Sequence, residues 1–508
     1  GALEELRAVG ALAPGDTAVQ RKLATLLFEQ GDWVGAEQSL EKLVKSRSLP
    51  QAEHVDVLIQ LSELRVAQGD RRGAENALRD AMKLDPDLMH EPFQRLEAFH
   101  AAAGGDAGLA ATLTELTKDP KSDPRWMVRL GQLEVHRLGR PNEGLQHLRL
   151  AVASLPHDAA AQLAFAEGLL AIGAHDEASK SLRELVLRDP SNPAALEAEH
   201  AALLGLGRKD EALVINELRA YCGFAPDRET SAAFRARRLP RTPPREETLD
   251  DVSIYSHVMP AAAKIPIFEV LTALADQLPK IVVPDIGAIG LSTRDRHTNR
   301  STHPWRTLVD RAAHALGVGE VDLYVHDSPD QRMLVENFET PAIVVPSSLK
   351  ALPELEIAFA IGRLVAKVAT RTYLLDKLRP AELEEILLGA VGPYGGPIPR
   401  ARAYEIEEIG KRIQKAVARK TRRQLEEIAP RVTAFDPARF ARAVDQGALR
   451  TSYLLTGDLT SALDHLRRYE EVAVSELGRA ETTTGDLIRF ALTADASTLR
   501  RRLGTSWA

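Results

Sequence analysis

A single cysteine, Cys222, stands among 508 residues, so no internal disulfide can form and one thiol cannot build a multi-cysteine zinc or iron–sulfur site. That excludes a disulfide-stapled secreted scaffold. Aromatic residues are scarce, at 5 %, which leaves little for a base-stacking surface. No run of about 18 uncharged apolar residues is present, and a membrane-spanning helix is excluded with it. Neither sign of charge dominates: 65 Lys and Arg face 72 Asp and Glu, a net charge of −7 with histidine neutral. Non-specific attraction of nucleic acid by overall charge is therefore not expected. Also missing are Gly-x-x-x-x-Gly-Lys-Ser/Thr, a Gly-x-Gly-x-x-Gly after a strand, and Gly-x-Ser-x-Gly, so nucleotide and serine-hydrolase chemistry have no motif to rest on. The chain begins Gly1-Ala2-Leu3-Glu4-Glu5, without an initiator methionine or a basic-then-apolar leader. It reads as a trimmed start, with a cytoplasmic location expected.

What the chain does have is a register of glycines. Gly31, Gly69, Gly105, Gly139, Gly173 and Gly207 follow one another at intervals of 38, 36, 34, 34 and 34 residues. Five residues after each stands a small residue, Ala36, Ala74, Ala110, Gly144, Ala178 or Ala212, as a close crossing of two helices requires. Pro86, Pro156 and Pro190 come 17 residues after their glycines and Pro120 comes 15 after Gly105, each ending a helix. Between these markers the apolar residues have helical spacing, as in Leu163, Phe165, Ala166, Leu169 and Leu170, then Leu182, Leu185 and Val186. Each unit is a helical hairpin, and six of them cover roughly residues 15–225. The pattern resembles the tetratricopeptide repeat (TPR), most clearly at Gly31-Asp32-Trp33-Val34-Gly35-Ala36 and Gly173-Ala174-His175-Asp176-Glu177-Ala178. That resemblance implies a TPR-like α-solenoid over residues 1–225 whose concave face binds an extended peptide or partner helix. The plainer alternative is an array that packs only against its own C-terminal domain.

From Pro226 to Asp251 the helical period stops, and Arg235, Arg237, Arg238, Arg241 and Arg245 alternate with Pro240, Pro243 and Pro244. This reads as a Pro/Arg-rich linker over 226–251 with solvated charge, an acidic partner or RNA being the other uses of such arginines. Residues 252–508 are mixed. A helix is expected over Ile265–Leu278, a loop through Gly287 and Gly290, and a helix opened by Ser301 with Pro304 in its first turn. Val321–His326 and Ala342–Val345 read as strands. A long helix begins near Pro353 with Leu355, Ile357, Ala358, Phe359, Ile361, Leu364, Val365 and Val368, apolar nearly all round and hence buried. Further helices are expected at about 380–390, 402–429, 436–456 and 458–478, with Asp436-Pro437 and Gly457-Asp458 as start signals.

This order of helix, strand pair, buried helix and more helices resembles the zincin metallopeptidases of the gluzincin family. Glu336-Asn337-Phe338 stands before Ala342-Ile343-Val344-Val345-Pro346 as the family's strand end does, and Glu356–Lys367 is similar to its zinc helix. The resemblance implies that Arg363 holds the place of the first histidine ligand, Leu364 that of the general-base glutamate and Lys367 that of the second histidine. A downstream stretch, Gln446–Asp458, is similar to the one that carries the third ligand, which puts Gln446 at the ligand position and Arg450 at its acidic second position. Zinc needs neutral or anionic donors, and Arg and Lys are cations. The reading is a degenerate zincin-like domain, α+β with a small sheet, that has lost all its ligands and holds no metal or cofactor.

His257, His297, His303, His314 and His326 all lie in this half, yet no His-x-x-x-His pair occurs on an expected helix, and isolated histidines account for them. Cys222 reads as an incidental thiol. Lys411, Arg412, Lys415, Arg419, Lys420, Arg422 and Arg423 make a basic helix segment flanked by Glu405, Glu407, Glu408, Glu426 and Glu427, which reads as a solvated helix with charge pairs one turn apart. The Gly392–Pro397 loop is placed where a zincin shapes its cleft, or is a plain connection. The function expected from all this is a non-catalytic scaffold or adaptor that binds protein partners through the repeats. A hydrolase with a non-standard site in the old cleft, with acids and histidines around Arg363 and Lys367, is one alternative. A nucleic-acid-binding protein acting through 411–423 is the other.

Overall fold

Each glycine of the register stands at the turn of a hairpin with positive φ, +77° at Gly31, +82° at Gly69, +65° at Gly139, +77° at Gly173, +71° at Gly207 and +116° at Gly105, which caps the start of the second helix of its hairpin. Only glycine enters that region without a steric penalty, which is why it recurs at the turn of every hairpin. The structure, a computed structural model, describes residues 2–12, 16–45, 49–102, 105–224, 228–468, 477 and 482–507. The chain divides into two compact units, Gly1–Leu185 and Val186–Ala508.

In the first unit α1 (Ala2–Leu12) precedes the hairpins α2–α3 (Thr17–Glu29, Trp33–Lys45), α4–α5 (Gln51–Gln68, Arg71–Leu84), α6–α7 (Glu91–Ala102, Asp106–Leu116), α8–α9 (Arg125–His136, Pro141–Ser154) and α10–α11 (Ala159–Ala171, His175–Arg188). The small residues of the register sit at the crossings, with Ala36, Ala74 and Ala178 fully buried. At α8–α9 the backbones touch: a Cβ added to Gly144 would lie 2.6 Å from the Gly131 carbonyl oxygen. Asp70, Asp158 and Asn192 cap α5, α10 and the next hairpin by accepting backbone N–H bonds.

The sixth hairpin, α12–α13 (Pro193–Gly205, Lys209–Tyr221), belongs to the second unit, so the division between units falls a whole hairpin before the boundary expected after residue 225. It is followed by α14 (Arg228–Arg235), the single turn α15 (Asp251–Ser253), α16 (Pro266–Leu274), α17 (Leu278–Ile281) and α18 (Arg306–Ala315). Next come β1 (Asp322–His326), β2 (Leu334–Glu336) and β3 (Ala342–Pro346), then α19 (Glu354–Ala369), α20 (Pro380–Val391), α21 (Ala403–Ala416) and α22 (Arg419–Ile428). The chain closes with α23 (Pro437–Thr456), α24 (Leu459–Arg467), α25 (Thr483–Ala491) and α26 (Ala494–Arg502). The sheet order is β1-β3-β2, with β1 parallel and β2 antiparallel to the fully buried β3. The chain is therefore mostly helical, tandem hairpins followed by an α+β region with one small sheet. No described helix is long and apolar enough to cross a membrane.

Four expectations need correction. The stretch 226–251 is not a bare linker: Pro226 lies outside the described residues, but Arg228–Arg235 is helical and buries Phe234, while Leu249 is fully buried and its N–H donates to the Ala315 carbonyl at 2.8 Å. A single buried residue gives a helix no apolar period to read. The helix at 402–429 breaks at Val417 and Ala418, both extended, which separates Lys415 from Arg419 where one continuous helix would stack like charges a turn apart. Ser301 does not open a helix, because its hydroxyl accepts from the His303 N–H at 3.2 Å in a local turn, and α18 starts at Arg306. The helix at 458–478 is described only as Leu459–Arg467, most of its remainder lying outside the described residues. Asp436 and Asp458 cap α23 and α24 as their start signals imply.

Gly144→Val is expected to destabilise the first unit by about 1–3 kcal/mol through overpacking at the α8–α9 crossing. Gly173→Ala, with open space but a left-handed backbone, is expected to cost about 1–2 kcal/mol. Urea unfolding followed by circular dichroism reads both, and a Gly144→Val variant as stable as the wild type would contradict the crossing geometry.

Candidate functional site

Helix α19 is buried on nearly every face, with Phe359, Ala360, Ile361, Leu364, Val365 and Ala366 fully excluded from solvent. Two cations interrupt it, Arg363 and Lys367, four residues apart and so on one face. Gly362 beside them lets α23 approach to backbone distance: a Cβ there would lie 2.5 Å from the Ser452 hydroxyl, which itself donates to the Phe359 carbonyl at 2.5 Å. A charge brought into such a crossing must find an opposite charge, because desolvating it alone costs several kcal/mol.

The opposite charge is Asp445 of α23. The Arg363 guanidinium donates to it in a forked pair, Nε to Oδ1 at 3.0 Å and Nη2 to Oδ1 and Oδ2 at 2.7 and 2.9 Å. The Lys367 ammonium, 1 % exposed, lies 2.8 Å from the same Oδ1 and also pairs with Asp376. Burial alone would push the Asp445 carboxyl up, but Arg363 and then Lys367 outweigh it and hold the group well below the usual carboxylate range. The residue after Asp376, Lys377, pairs with Glu336 and donates to the Asn337 side-chain oxygen at 2.8 Å. Segment 370–379 is thereby tied to α19 at one residue and to β2 at the next. Toward the other end of α19, Glu356 pairs with Arg468 at 3.0 Å. The His465 ring meets Phe359 edge-on at 5.4 Å, and burial, with Arg363 and Arg468 nearby, pushes it down to about 4.

The structure thus brings Arg363 and Lys367 together, sinks Leu364 into the core and buries Gln446. The side chain facing the two cations from α23 is Asp445, one residue before the position the resemblance assigned. One residue is about 100° around a helix, enough to turn a side chain from one face to another. Arg450 pairs with Asp486 at 2.6 Å. Asp445, Asp376 and His465 were missed from sequence. The signal for an acid across the crossing was present in the two cations four apart on an otherwise apolar helix. Ion pairs of Arg363 and Lys367 with Asp445 and Asp376 occupy this crossing, with the His465 ring against Phe359 nearby.

The remaining residues singled out in the sequence are dispersed. His257 lies 3.5 Å from Asp495, His314 hydrogen-bonds the Pro243 carbonyl at 3.0 Å, and His326 that of Arg332 at 2.8 Å. Of these five histidines His297 and His303 approach each other, with ring centroids 4.6 Å apart. Among the described residues no three His, Cys, Asp or Glu are grouped so as to hold a metal ion. Burial pushes the Cys222 thiol up to about 12, far from a reactive thiolate. Gly392–Tyr394 forms a short 3-10 turn at the end of α20. In the basic segment Lys411 pairs with Glu408 at 2.7 Å, and among the described residues its other cations form no ion pair, so the expected ladder of charge pairs is not made. Arg419, Lys420, Arg422 and Arg423 lie exposed on the first half of α22.

No family model matches the sequence, and no curated protein matches it. Among solved structures, YrrB, described as a TPR protein with an unusual peptide-binding site, is 16 % identical over 46 % of this chain and 97 % of its own, with a TM-score of 0.23. A tetratricopeptide repeat protein from Parabacteroides merdae is 16 % identical over 43 % of this chain and 91 % of its own, with a TM-score of 0.26. The TPR2AB domain of yeast Sti1 in its pHSP90 complex is 14 % identical over 46 % and 86 %, with a TM-score of 0.19. Scores of this size carry no weight by themselves. The hairpin repeats stand on the glycine register and on the helices that it punctuates.

Lys367→Met is expected to cost about 3–5 kcal/mol, because Asp376 and Asp445 then lose a buried partner. Arg363→Met, at a partly exposed site, is expected to cost less; chemical denaturation ranks the two. His465 sets a pH window. The unfolded chain takes up a proton near pH 6.5 that the folded ring refuses down to about 4, so stability rises with pH across that interval and is lost on acidification through it. His465→Phe is expected to flatten this stretch of a pH–stability profile.

Proposed function

We propose that the chain is a non-catalytic adaptor, in which TPR-like hairpins bind a protein partner and a zincin-like domain serves as a structural platform. One observation carries this reading: the face of α19 that corresponds to the zinc helix presents a guanidinium and an ammonium already neutralised by Asp445 and Asp376. Cations cannot coordinate zinc, and a carboxylate engaged by both is neither a free general base nor a free ligand. The nearby hydroxyl of Ser452 is committed to a backbone carbonyl. Charge in this region holds helices together.

Metal analysis of the full chain by plasma mass spectrometry, after dialysis against a weak chelator, is expected to find less than about a tenth of an equivalent of zinc. Near one equivalent would overturn the reading. The double variant Arg363→His, Lys367→His places two imidazoles opposite Asp445. It is expected to acquire close to one equivalent of zinc, and if it folds and stays metal-free, the comparison of α19 with a zinc helix fails.

The exposed cations of α22 favour a second reading, binding of a nucleic-acid backbone. Filter binding of single-stranded RNA should then weaken steeply with salt and disappear with Arg419→Glu, Arg423→Glu. No retention at low salt would dismiss it.

A further inference from the structure

A second group of charges lies buried where α13 meets the C-terminal residues of the same unit. Asp210 and Glu217 come from α13, Arg237 from the segment after α14, Tyr453 from α23, Asp458 from the cap of α24 and Arg500 from α26. Glu217 is fully buried, and Asp458 and Arg500 are each 1 % exposed. Arg500 pairs with Asp210 at 3.1 Å, and Arg237 stands 3.6 Å from Glu217.

Trp507 is the piece held by this group. Its backbone N–H donates to Asp210 at 2.6 Å and its indole N–H to Glu217 at 3.2 Å. The Arg237 guanidinium lies over its ring at 3.7 Å, and Phe234 meets the ring edge-on at 5.3 Å. The carbonyls of Gly457 and Thr505 accept from Arg237 and Arg500, which ties residues 504–507 to the end of α23.

The charges do not balance. Three carboxyls face two guanidiniums, so full ionisation leaves a surplus negative charge without water to solvate it. One acceptor is also unused: Asp458 Oδ1 caps α24 by accepting from Ser461 N at 2.7 Å, while Oδ2 is buried with no hydrogen-bond partner among the described residues. Glu217 Oε1 accepts from Leu459 N at 3.2 Å, at the residue that follows Asp458, and the two carboxyls are electrostatically coupled. Surplus charge and orphan acceptor call for the same remedy, one proton.

We propose that a proton held between Glu217 and Asp458 latches the Trp507 segment onto α13, and that losing it at alkaline pH releases that segment and uncovers the α13 face. Burial, and then Asp458, push Glu217 up to about 8, which sets the pH at which the latch opens. Burial also raises Asp458. The Tyr453 hydroxyl is pushed well up by burial and keeps its own proton throughout. The sign follows from linkage. The folded state binds a proton between about pH 4.5 and 8 that the unfolded chain does not, so stability falls as pH rises through that range and levels off above it.

Infrared spectroscopy of the full chain detects a protonated carboxyl directly and needs no variant. The wild-type protein is expected to show a buried carboxylic acid band at neutral pH that disappears with a midpoint near 8, while tryptophan emission shifts to the red in step. Trp507→Phe is expected to lose the emission shift and keep the infrared transition. Glu217→Gln is expected to lose both, and Asp458→Asn, which balances the charges and removes one cause of the raised Glu217 value, to move the transition to lower pH. Absence of the band at neutral pH, or an emission that stays constant through its loss, overturns the proposal.

Discussion

The crossing of α19 and α23 is the constraint on which the α+β region of the second unit depends. Its apolar half is a close approach of backbones at Gly362 and Ser452, and its polar half is a carboxylate shared by Arg363 and Lys367. Neither half suffices alone: a side chain in place of Gly362 would have to displace Ser452, and without Asp445 the Arg363 guanidinium loses its forked acceptor while Lys367 is left with Asp376. The sheet, α18, α23 and α24 all pack against α19, so its fixed position sets theirs. Asp376 and Lys377 then attach the chain leaving α19 back to that helix and to β2.

The two units differ in where they put charge at helix contacts: in the repeats, pairs such as Arg65–Glu37 and Arg129–Glu97 stay partly exposed at the rim of the crossings. In the repeats, small residues and left-handed glycines let helices cross closely, and clusters such as Leu23, Leu27, Leu40, Leu43 and Leu61 fill the space between hairpins. In the second unit, long-range contacts are made repeatedly by charge: Arg450 with Asp486, Arg468 with Glu356, Arg500 with Asp210. Apolar packing tolerates small shifts, whereas a forked guanidinium–carboxylate pair fixes one geometry. A region without internal repetition gains from the second kind of contact, and a repeated array is specified well enough by the first.

How much of this the sequence disclosed follows from the range of each interaction. The hairpins were legible because their determinants are local: a glycine where φ must be positive, a small residue five positions on, a proline after the second helix. Helix α19 and strand β3 were legible from unbroken apolar character, but β2, with three residues, is too short to show a period. At the crossing, the sequence marked Arg363 and Lys367 as cations on the buried helix and Gln446 as the place of a lost ligand, but named no partner for the cations, since nothing local distinguishes Asp445 from its neighbours. The stretch expected to be a linker misled for a related reason. Arg237 reads as solvated charge next to four neighbouring arginines, and only Glu217 and Trp507, distant in the chain, explain why it is buried.

The ionic character of the α19–α23 crossing bears on how the protein meets heat. Withdrawing charged groups from water becomes less costly as temperature rises, because their hydration carries an unfavourable entropy, while apolar burial gains little more per unit area. A core stitched by Arg363, Lys367, Asp376 and Asp445 therefore loses less of its cohesion on warming than an aliphatic core of the same size. The crossings of the repeats are made by small residues and leucines instead. Warming should loosen the hairpins first and leave the α19–α23 crossing standing.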